Sequence, residues 1–401
     1  MKEPFLSALP VLEKIQKSGY EAYFVGGSVR DFLLGKDIHD IDIATSATPE
    51  ELKAIFPHTV DVGIAHGTIL VLWNGLAFEL TTYRTESDYK DYRHPESVSF
   101  VRSLEEDLKR RDFTMNAMAM DQYGTLIDPF EGQKALKNRV IQTVGSADER
   151  FQEDALRLMR AVRFVSQLGF QLDRQTEKAI SVHAGLLQHI AVERVADEMM
   201  KLLSGPFKKD AFHILLQSGL YRFLPSLFNE EEVLESAMAY PISSLNENQL
   251  WVLALYFSNT SEGWRRLKRW KLPAKKMKRL VRALDLLKHR MSCGWTPYEL
   301  FSAGAETAAL VESLYRTIQH EEAEAPAKQV KEDFEKLPIQ SRKELAVTGH
   351  DLMHWSNQEG GPWVKEVLEK IIKAVLYREV RNDKDEIRRW FEKCRLRSEN
   401  N

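Results

Sequence analysis

Hydrophobic positions along the chain follow two different patterns, and the change falls near residue 150. Before that point, short runs rich in β-branched and aromatic residues are bounded by Gly, Asn, Asp or Pro, which is typical of strands. The predicted strands are residues 22–25, 40–45, 68–73 and 77–83. After it, helical periodicity dominates, as in ALRLMRAVRFVSQLGF and PWVKEVLEKIIKAVLYREV. Strands followed by helices predict an α+β fold with an all-helical extension.

Two further features complete this pattern. Glycine and proline are predicted to separate helices at Gly205-Pro206, Pro241, Pro273, Gly294 and 360–362. Residues 84–101, RTESDYKDYRHPESVSFV, mix both charge signs without a sustained period. We predict a long loop there, which is either functional or a surface insertion.

Composition narrows the class of protein. The chain has 401 residues, 43% apolar and 29% charged, which predicts about two to four folded domains. Its apolar runs are all shorter than the roughly 18 residues of a membrane span, and the N-terminus lacks the apolar core of a signal peptide. The two cysteines exclude a disulfide scaffold and a CxxC zinc site, and they indicate a cytoplasmic protein.

Charge is unevenly distributed. The whole chain has 56 basic and 59 acidic residues, a net charge of −3, yet residues 265–290 contain twelve Lys or Arg and one acid, Asp285. This local excess of positive charge predicts a surface that binds a polyanion. The alternative is a helix face that is simply exposed to solvent.

A glycine-rich turn follows the first predicted strand. In GGSVRD, residues 26–31, Gly26 and Gly27 would let a ligand approach the backbone, and a new helix would direct its N–H groups at a phosphate, with Arg30 one turn further on. The alternative is a simple turn. The spacing to Gly35-Lys36 is too long for a P-loop, and no GxGxxG, HExxH or GxSxG motif occurs.

Two aspartates follow about ten residues later. On a strand, Asp40 and Asp42 would face the same side while Ile41 and Ile43 point into the core. Paired carboxylates on one rigid face suit Mg²⁺, although an acidic surface turn is the alternative. The order Gly-Ser, then Asp-x-Asp, suggests nucleotidyl transfer, with Glu79 as a candidate third carboxylate.

Two arginine motifs come next. Arg110 and Arg111 could bind a triphosphate, or they could simply end a helix favourably. Further on, the spacing of Asp154 and Arg157 predicts that they lie one helical turn apart. A hydrogen-bond acceptor beside a donor matches the base-pairing edges of cytosine and adenine but not those of uracil and guanine. The alternative is a surface ion pair between Glu153 and Arg157. Because steps of three residues drift around a helix, Arg160 and Arg163 need not contact the base.

The motifs FVGGSVRDFLLGKDIHDIDIATSATPEE, RRDFTMNAMAMD, ERFQEDALRLMRAVRF and VTGHDLM…GGPWVKEVLEKIIKAV occur in this order over most of the chain. In these motifs the chain resembles the bacterial class II tRNA nucleotidyltransferases, the CCA-adding enzymes, in their Bacillus-type branch, which are related to poly(A) polymerases.

The resemblance implies a polymerase-β-like nucleotidyltransferase head (1–148) followed by a helical neck (149–204), body (205–292) and tail (293–401). It implies that Asp40 and Asp42 hold Mg²⁺ and that Gly27, Arg30 and Arg111 contact the triphosphate. By the same resemblance, Asp154 and Arg157 select CTP and ATP, and Arg160 and Arg163 complete the nucleotide site.

The partners follow from the same resemblance. It implies that tRNA is the substrate and that the basic residues 265–290 bind the tRNA backbone. It also implies that residues 84–102 move when the enzyme changes from adding C to adding A, and that the protein forms a homodimer. A poly(A) polymerase or an A-adding enzyme is the alternative enzyme, and a non-catalytic RNA-binding protein is the alternative from another class. We interpret His39 and His66 as structural residues.

Overall fold

The computed structural model describes residues 1–38, 40–63, 67–89, 95–259 and 261–399. These residues form two compact units. The first consists of Met1–Leu234 with Arg269–Lys271, and the second of Glu235–Lys268 with Leu272–Asn401.

A seven-stranded sheet is the centre of the first unit. The strand order is β3-β4-β5-β2-β1-β8-β9, and only the β2–β5 pair is parallel. The strands are β1 (Ala22–Val25), β2 (Asp42–Thr45), β3 (Thr59–Gly63), β4 (Thr68–Trp73), β5 (Leu76–Thr82), β8 (Ala119–Met120) and β9 (Leu126–Ile127). The predicted strands 22–25, 68–73 and 77–83 are therefore confirmed, while the strand predicted at 40–45 begins two residues later.

Helices cover one face of this sheet because its strands alternate between apolar and polar side chains. Phe5 of α1 (Phe5–Lys17) meets Phe24 of β1 edge to face at 4.8 Å between ring centroids. Phe56, directly after α3 (Pro49–Ile55), contacts Trp73 of β4 in the same way at 5.7 Å. On the opposite face, α4 (Leu104–Lys109) packs on only part of the sheet, through Leu104 and Leu108.

Residues 84–101 were predicted as a loop, and this prediction is wrong. They contain β6 (Arg84–Tyr89) and β7 (Pro95–Phe100), an antiparallel pair. The pattern hid the strands because alternating polar side chains on an isolated two-stranded ribbon do not produce the apolar signal of a core strand.

Helices predominate in the rest of the first unit. They are α2 (Gly27–Leu33), α5 (Gly132–Asn138), α6 (Ala147–Glu153), α7 (Leu156–Leu168), α8 (Arg174–His183), α9 (Val192–Ser204), α10 (Lys208–Gln217) and α11 (Glu231–Met238), which runs past Leu234. Two short strands, β10 (Val140–Ile141) and β11 (Gln171–Leu172), pair in parallel beside α7. Helix α7 packs on both α9 and α10, and nearly every one of its residues is buried.

The second unit is helical in its described residues, as predicted. Its helices are α12 (Glu247–Phe257), α13 (Gly263–Arg269), α14 (Ala274–Arg290), α15 (Pro297–Ala303), α16 (Ala305–Ile318), α17 (Glu324–Glu335), α18 (Gly349–Ser356), α19 (Pro362–Leu376) and α20 (Lys384–Glu399). The glycine and proline breaks lie between helices as predicted: Pro273 precedes α14, and Gly361-Pro362 begins α19. Across the described ranges, every helix is too short or too polar to cross a membrane.

Candidate active site

Three carboxylates converge where β2 begins. Asp42 is the first residue of β2 and is paired in register with Glu79 of β5, so the two side chains leave the same face of the sheet. Asp40 lies just before the strand and is exposed. Burial raises the pKa of Asp42, the charge of Arg111 opposes this rise, and the charge of Asp40 adds to it. Burial also raises the pKa of Glu79, followed by the charges of Asp42 and Asp40.

The glycine turn brings a second motif to this cluster. Gly26 has φ 72° and ψ −136° between β1 and α2, a conformation that glycine adopts far more readily than other residues. A Cβ atom on Gly26 would lie 3.1 Å from Nη1 of Arg111 and 3.4 Å from Oδ2 of Asp42. The glycine turn, the aspartate strand and the double-arginine motif therefore meet at one point.

Asp107 anchors the double-arginine motif. This aspartate is 1% exposed and accepts hydrogen bonds from Nε and Nη2 of Arg110, at 3.0 and 2.7 Å, and from Nη2 of Arg111 at 3.2 Å. Burial alone would raise the pKa of Asp107, but the charges of Arg111 and Arg110 lower it. The buried Nε–H of Arg111 has no hydrogen-bond partner among the described residues. A buried charged donor without an acceptor is suited to an anionic ligand.

The side chain of Arg30 is fixed by hydrogen bonds to two nearby side chains. Its Nε and Nη2 each donate to the carboxylate of Asp31 at 2.9 Å, and its Nη1 donates to Oδ1 of Asn116 at 2.7 Å. Its guanidinium also lies 5.1 Å from the ring centroid of Phe164 on α7. A Cβ on Gly27 would lie 3.6 Å from Nη2 of Arg30, so these two predicted triphosphate residues are neighbours.

Arg160 joins α7 to the double-arginine segment. Nε of Arg160 donates to Oδ2 of Asp112 at 2.7 Å, and Oδ1 of Asp112 accepts from the Asn116 side chain at 3.1 Å. Burial alone would raise the pKa of Asp112, but Arg160 and the hydrogen bond from Asn116 hold it well below its usual range.

Arg163 is bound inside the first unit. Nε of Arg163 lies 2.5 Å from Oε2 of Glu198, and its Nη1 donates to Oε1 of Gln167 at 2.8 Å. Burial lowers the pKa of Arg163 to about 10, although Glu198 opposes the change. The guanidiniums of Arg160 and Arg163 lie 5.7 and 3.9 Å from the ring centroid of Phe164.

Asp154 and Arg157 do not share a helix. The geometry assumed from their spacing is wrong, because α6 ends at Glu153, Asp154 is extended with φ −134° and ψ 103°, and α7 begins at Leu156. The carboxylate of Asp154 accepts hydrogen bonds from the Leu156 N–H at 3.0 Å and from Nη1 and Nη2 of Arg194 at 3.4 and 2.8 Å.

Arg157 is 7% exposed and lies against Glu153, at 2.5 Å between Nη1 and Oε2. It also donates to the backbone carbonyls of Arg150 and Arg110 at 3.1 and 3.0 Å. The predicted ion pair with Glu153 is thus present, on a side chain that also connects α7 to the double-arginine motif.

Similarity to known proteins identifies the family. The chain is 50% identical over 393 residues to the CCA-adding enzyme of Geobacillus sp. strain WCH70, covering 98% of this chain and 97% of the relative. It is 49% identical over 404 residues to the CCA-adding enzyme of Geobacillus stearothermophilus, and the full length of both chains is covered. The chain belongs to the CCA-adding enzyme family.

The fold agrees with this assignment. The crystal structure of the Bacillus stearothermophilus CCA-adding enzyme in complex with CTP matches with a TM-score of 0.90 and 47% identity, covering all of both chains. Sequence-family descriptions also match in order: a poly A polymerase head domain at residues 22–142, an RNA and SrmB-binding site of polymerase A at 169–230, and a tRNA nucleotidyltransferase domain 2 at 243–391. The predicted polymerase-β-like head with helical domains is confirmed.

The carboxylates suit the divalent cation on which this family of nucleotidyltransferases depends. Beyond the effect of burial, the charge of Asp40 raises the pKa of Asp42, and the charges of Asp42 and Asp40 raise the pKa of Glu79, so a cation would relieve this repulsion. In the described residues no group of three or more His, Cys, Asp or Glu side chains is placed to hold a metal ion by itself.

Sequence reasoning missed the residues that fix the CCA-adding enzyme site. They are the acceptors and rings around the arginines, together with Arg194, and they comprise Asp31, Asp107, Asp112, Asn116, Phe164, Arg194 and Glu198. Asp107 could have been found from its i,i+3 and i,i+4 spacing to the double arginine. Arg194 is 40 residues from Asp154, and no local pattern relates them. His39 and His66 lie outside the described residues.

Proposed function

We propose that this protein adds C, C and A to the 3′ end of tRNA without a template, using CTP and ATP and releasing pyrophosphate. The observation that carries the proposal is the meeting of Gly26, Asp42 and Arg111 within contact distance where β2, the middle strand of the sheet, begins. The terminal hydroxyl of the tRNA attacks the α-phosphorus, and the bond to the pyrophosphate oxygen breaks on the opposite side. Positioning and charge stabilisation are the main contributions asked of the protein.

Asp40 and Asp42 would hold Mg²⁺, and Glu79 lies in register with Asp42 to assist them. When bound, the ion would neutralise phosphate charge and favour ionisation of the attacking hydroxyl. Arg111 would donate its unpartnered Nε–H to the triphosphate. Gly27 would let the phosphates approach, and Arg30 beside it would add positive charge.

Asp154 and Arg157 would select the base. A carboxylate has about four acceptor positions, and the Leu156 N–H with the two Arg194 donors uses three of them in the described contacts. Oδ2 of Asp154 therefore retains capacity for the exocyclic amine of cytosine or adenine. Arg157 would exchange its contact with Glu153 for the neighbouring ring nitrogen. Arg160 and Arg163, already paired with Asp112 and Glu198, would complete the nucleotide site by fixing α7.

The rest of the chain would bind tRNA. We infer a head at 1–148, a neck at 149–204, a body at 205–292 and a tail at 293–401, with α14 of the basic stretch on the tRNA backbone. Lys275, Lys278, Arg279 and Arg282 are exposed on α14. A homodimer and a cytoplasmic location belong to the same proposal.

A direct assay tests the activity. Purified tRNA lacking its CCA end is incubated with Mg²⁺ and labelled CTP, ATP, UTP or GTP, singly and together, and the products are sequenced. C, C and A followed by arrest is the expected result. Long runs of A would assign the protein to the poly(A) polymerases, and a single A added only to tRNA ending in CC would make it an A-adding enzyme.

A further inference from the structure

An exposed apolar strip continues the catalytic face of the sheet beyond Glu79. Glu79 of β5 is paired with Leu70 of β4, and Leu70 is paired with Val60 of β3. Leu72 and its partner Ala77 lie two residues away along the same strands, so they face the same side. We refer to Val60, Leu70, Leu72 and Ala77 as the apolar strip.

The strip is open to solvent, although it is built on a well-packed sheet. Val60 and Leu72 are each 44% exposed, Ala77 is exposed and Leu70 is half-buried. On the opposite face of β4, Ile69 and Val71 are completely buried. Neighbouring apolar side chains of which three are exposed and one is half-buried, next to a catalytic centre, are typical of a binding surface.

The distances suit a nucleic acid strand. Neighbouring strands are about 4.8 Å apart, which places Leu70 about 10 Å and Val60 about 14 Å from Asp42 along one row. A stacked strand advances about 3.4 Å per nucleotide. When the attacking 3′ hydroxyl is at Asp42, the last few nucleosides therefore reach the strip.

The apolar character of the strip determines which part of a nucleotide it can bind. The four side chains carry no charge and end at Glu79, so the strip does not attract phosphate. Apolar side chains instead suit the flat faces of bases and the carbon edge of ribose, and such contacts tolerate any base. Tolerance is required of this surface, because the terminal bases change from one addition to the next.

We infer that the apolar strip binds the terminal nucleosides of the tRNA acceptor end and so aligns the attacking hydroxyl. This inference rests on the proposed function, and it assigns the primer side of the site to the face of β3, β4 and β5 next to Glu79.

Leu72→Asp tests the inference, with Leu6→Asp as the matched control, because Leu6 of α1 is also an exposed leucine, 46% exposed, and lies outside the strip. We expect Leu72→Asp to raise the KM for tRNA lacking CCA by about tenfold while the KM for CTP stays within about twofold. Leu72→Tyr keeps an apolar surface and should retain the wild-type KM. Unfolding midpoints equal to that of the wild-type enzyme establish that each variant is folded.

Photocrosslinking supplies a readout that does not depend on activity. A photoreactive phenylalanine at position 72 should crosslink to the last nucleotides of 3′-labelled tRNA, and the same group at position 6 should not. An unchanged KM for tRNA in Leu72→Asp, or crosslinks only to the distant stem, would overturn the inference. A change in oligomeric state by light scattering, with the KM for tRNA unchanged, would assign the strip to a second copy of the chain and would also overturn it.

The assay of the wild-type enzyme distinguishes failure of this inference from failure of the proposed function. If the wild-type enzyme adds C, C and A and Leu72→Asp behaves like it, only this inference fails. If the wild-type enzyme adds no nucleotide to tRNA, the proposed function fails.

Discussion

Arg194 of α9 orients Asp154, the residue proposed to select the base. Its Nη2 lies 2.8 Å from Oδ2 of Asp154, and its Nη1 lies 3.4 Å from Oδ1. Asp154 sits in the extended break between α6 and α7, where its backbone N–H still donates to the Arg150 carbonyl at 3.4 Å but its side chain is no longer part of a helix. The bidentate contact from a neighbouring helix therefore determines where the carboxylate points.

Arg194→Ala should relax base selection. Without the arginine, Asp154 can rotate away from the amine of cytosine or adenine, so we expect kcat/KM for CTP and ATP to fall by about 10–100-fold. The ratio of UTP to CTP incorporation should rise, and Arg194→Lys should restore selection only partly because lysine cannot form the bidentate pair. Incorporation of each nucleotide into tRNA measures this. Lys137→Ala, at an exposed basic residue of α5, is the control.

The result that would contradict this role of Arg194 is an equal fall in kcat/KM for all four nucleotides, with the ratio of UTP to CTP incorporation unchanged. Arg194 would then support the fold of the first unit without orienting the base-selecting carboxylate.

Asp42→Asn should abolish nucleotide addition and leave tRNA binding intact. The substitution keeps the size of the side chain but removes the charge proposed to hold Mg²⁺, so we expect the rate to fall at least about a thousandfold. Asp40→Ala should have the same effect. The affinity for tRNA, measured by filter binding, should stay within about twofold. Glu50→Gln, an exposed acid on α3, is the control. Equal loss of rate and tRNA affinity would contradict the metal role.

Local pattern predicted most of the architecture because core strands and amphipathic helices have distinct periods. The runs 22–25 and 68–73 match β1 and β4, and the helical breaks coincide with glycine and proline. The pattern failed for β6 and β7, because an isolated ribbon needs no apolar alternation. It also placed the start of β2 at Asp40, because the alternation of aspartate and isoleucine begins there, two residues before strand pairing does.

The site was predictable only in part. Asp42, Gly27 and Arg111 belong to recognisable motifs, and the structure brings their segments together. What the arginines contact was not predictable. Arg30, Arg160 and Arg163 gather around Phe164, and each has an acidic partner that is either adjacent or more than 30 residues away. Such partners depend on how β1, α7 and α9 pack, which no spacing in the sequence encodes.

The basic face of α14 should bind tRNA through its phosphates. Lys275, Lys278 and Arg279 are exposed on this helix and make no ion pair within the described ranges. Replacing all three by Gln should weaken tRNA binding and reduce the slope of log K against log salt by about two to three, because each lost phosphate contact reduces the slope by about one.

A charge-preserving variant is the control for this helix. Lys275→Arg with Lys278→Arg and Arg279→Lys should bind with the wild-type slope. If the Gln variant also keeps the wild-type slope over a range of salt concentrations, α14 is a solvated helix face and not a tRNA-binding surface.

Asp112 should make the stability of the enzyme depend on pH in the acid range. Its carboxylate is 7% exposed and is bound by Arg160 and Asn116, which hold its folded pKa below the unfolded value of about 3.9. A depressed pKa means that the ionised pair stabilises the folded state at every pH above about 4, and that this contribution is lost as the pH falls further.

Asp112→Asn removes the buried negative charge that pairs with Arg160. At pH 7 we therefore expect the free energy of unfolding to fall by about 3–5 kcal/mol and the thermal midpoint to be lower. The difference in midpoint between wild type and variant should shrink as the pH is lowered from 5 towards about 3, because the unfolded chain then binds a proton at Asp112 that the folded pair does not, which reduces the stability that the pair contributes. Asp61→Asn, which breaks an exposed pair with Lys53, should change the midpoint little. The difference in thermal midpoint between wild type and Asp112→Asn could instead stay constant over this pH range. That result would show that shape and hydrogen bonding, and not the charge of Asp112, hold α7 against the double-arginine segment.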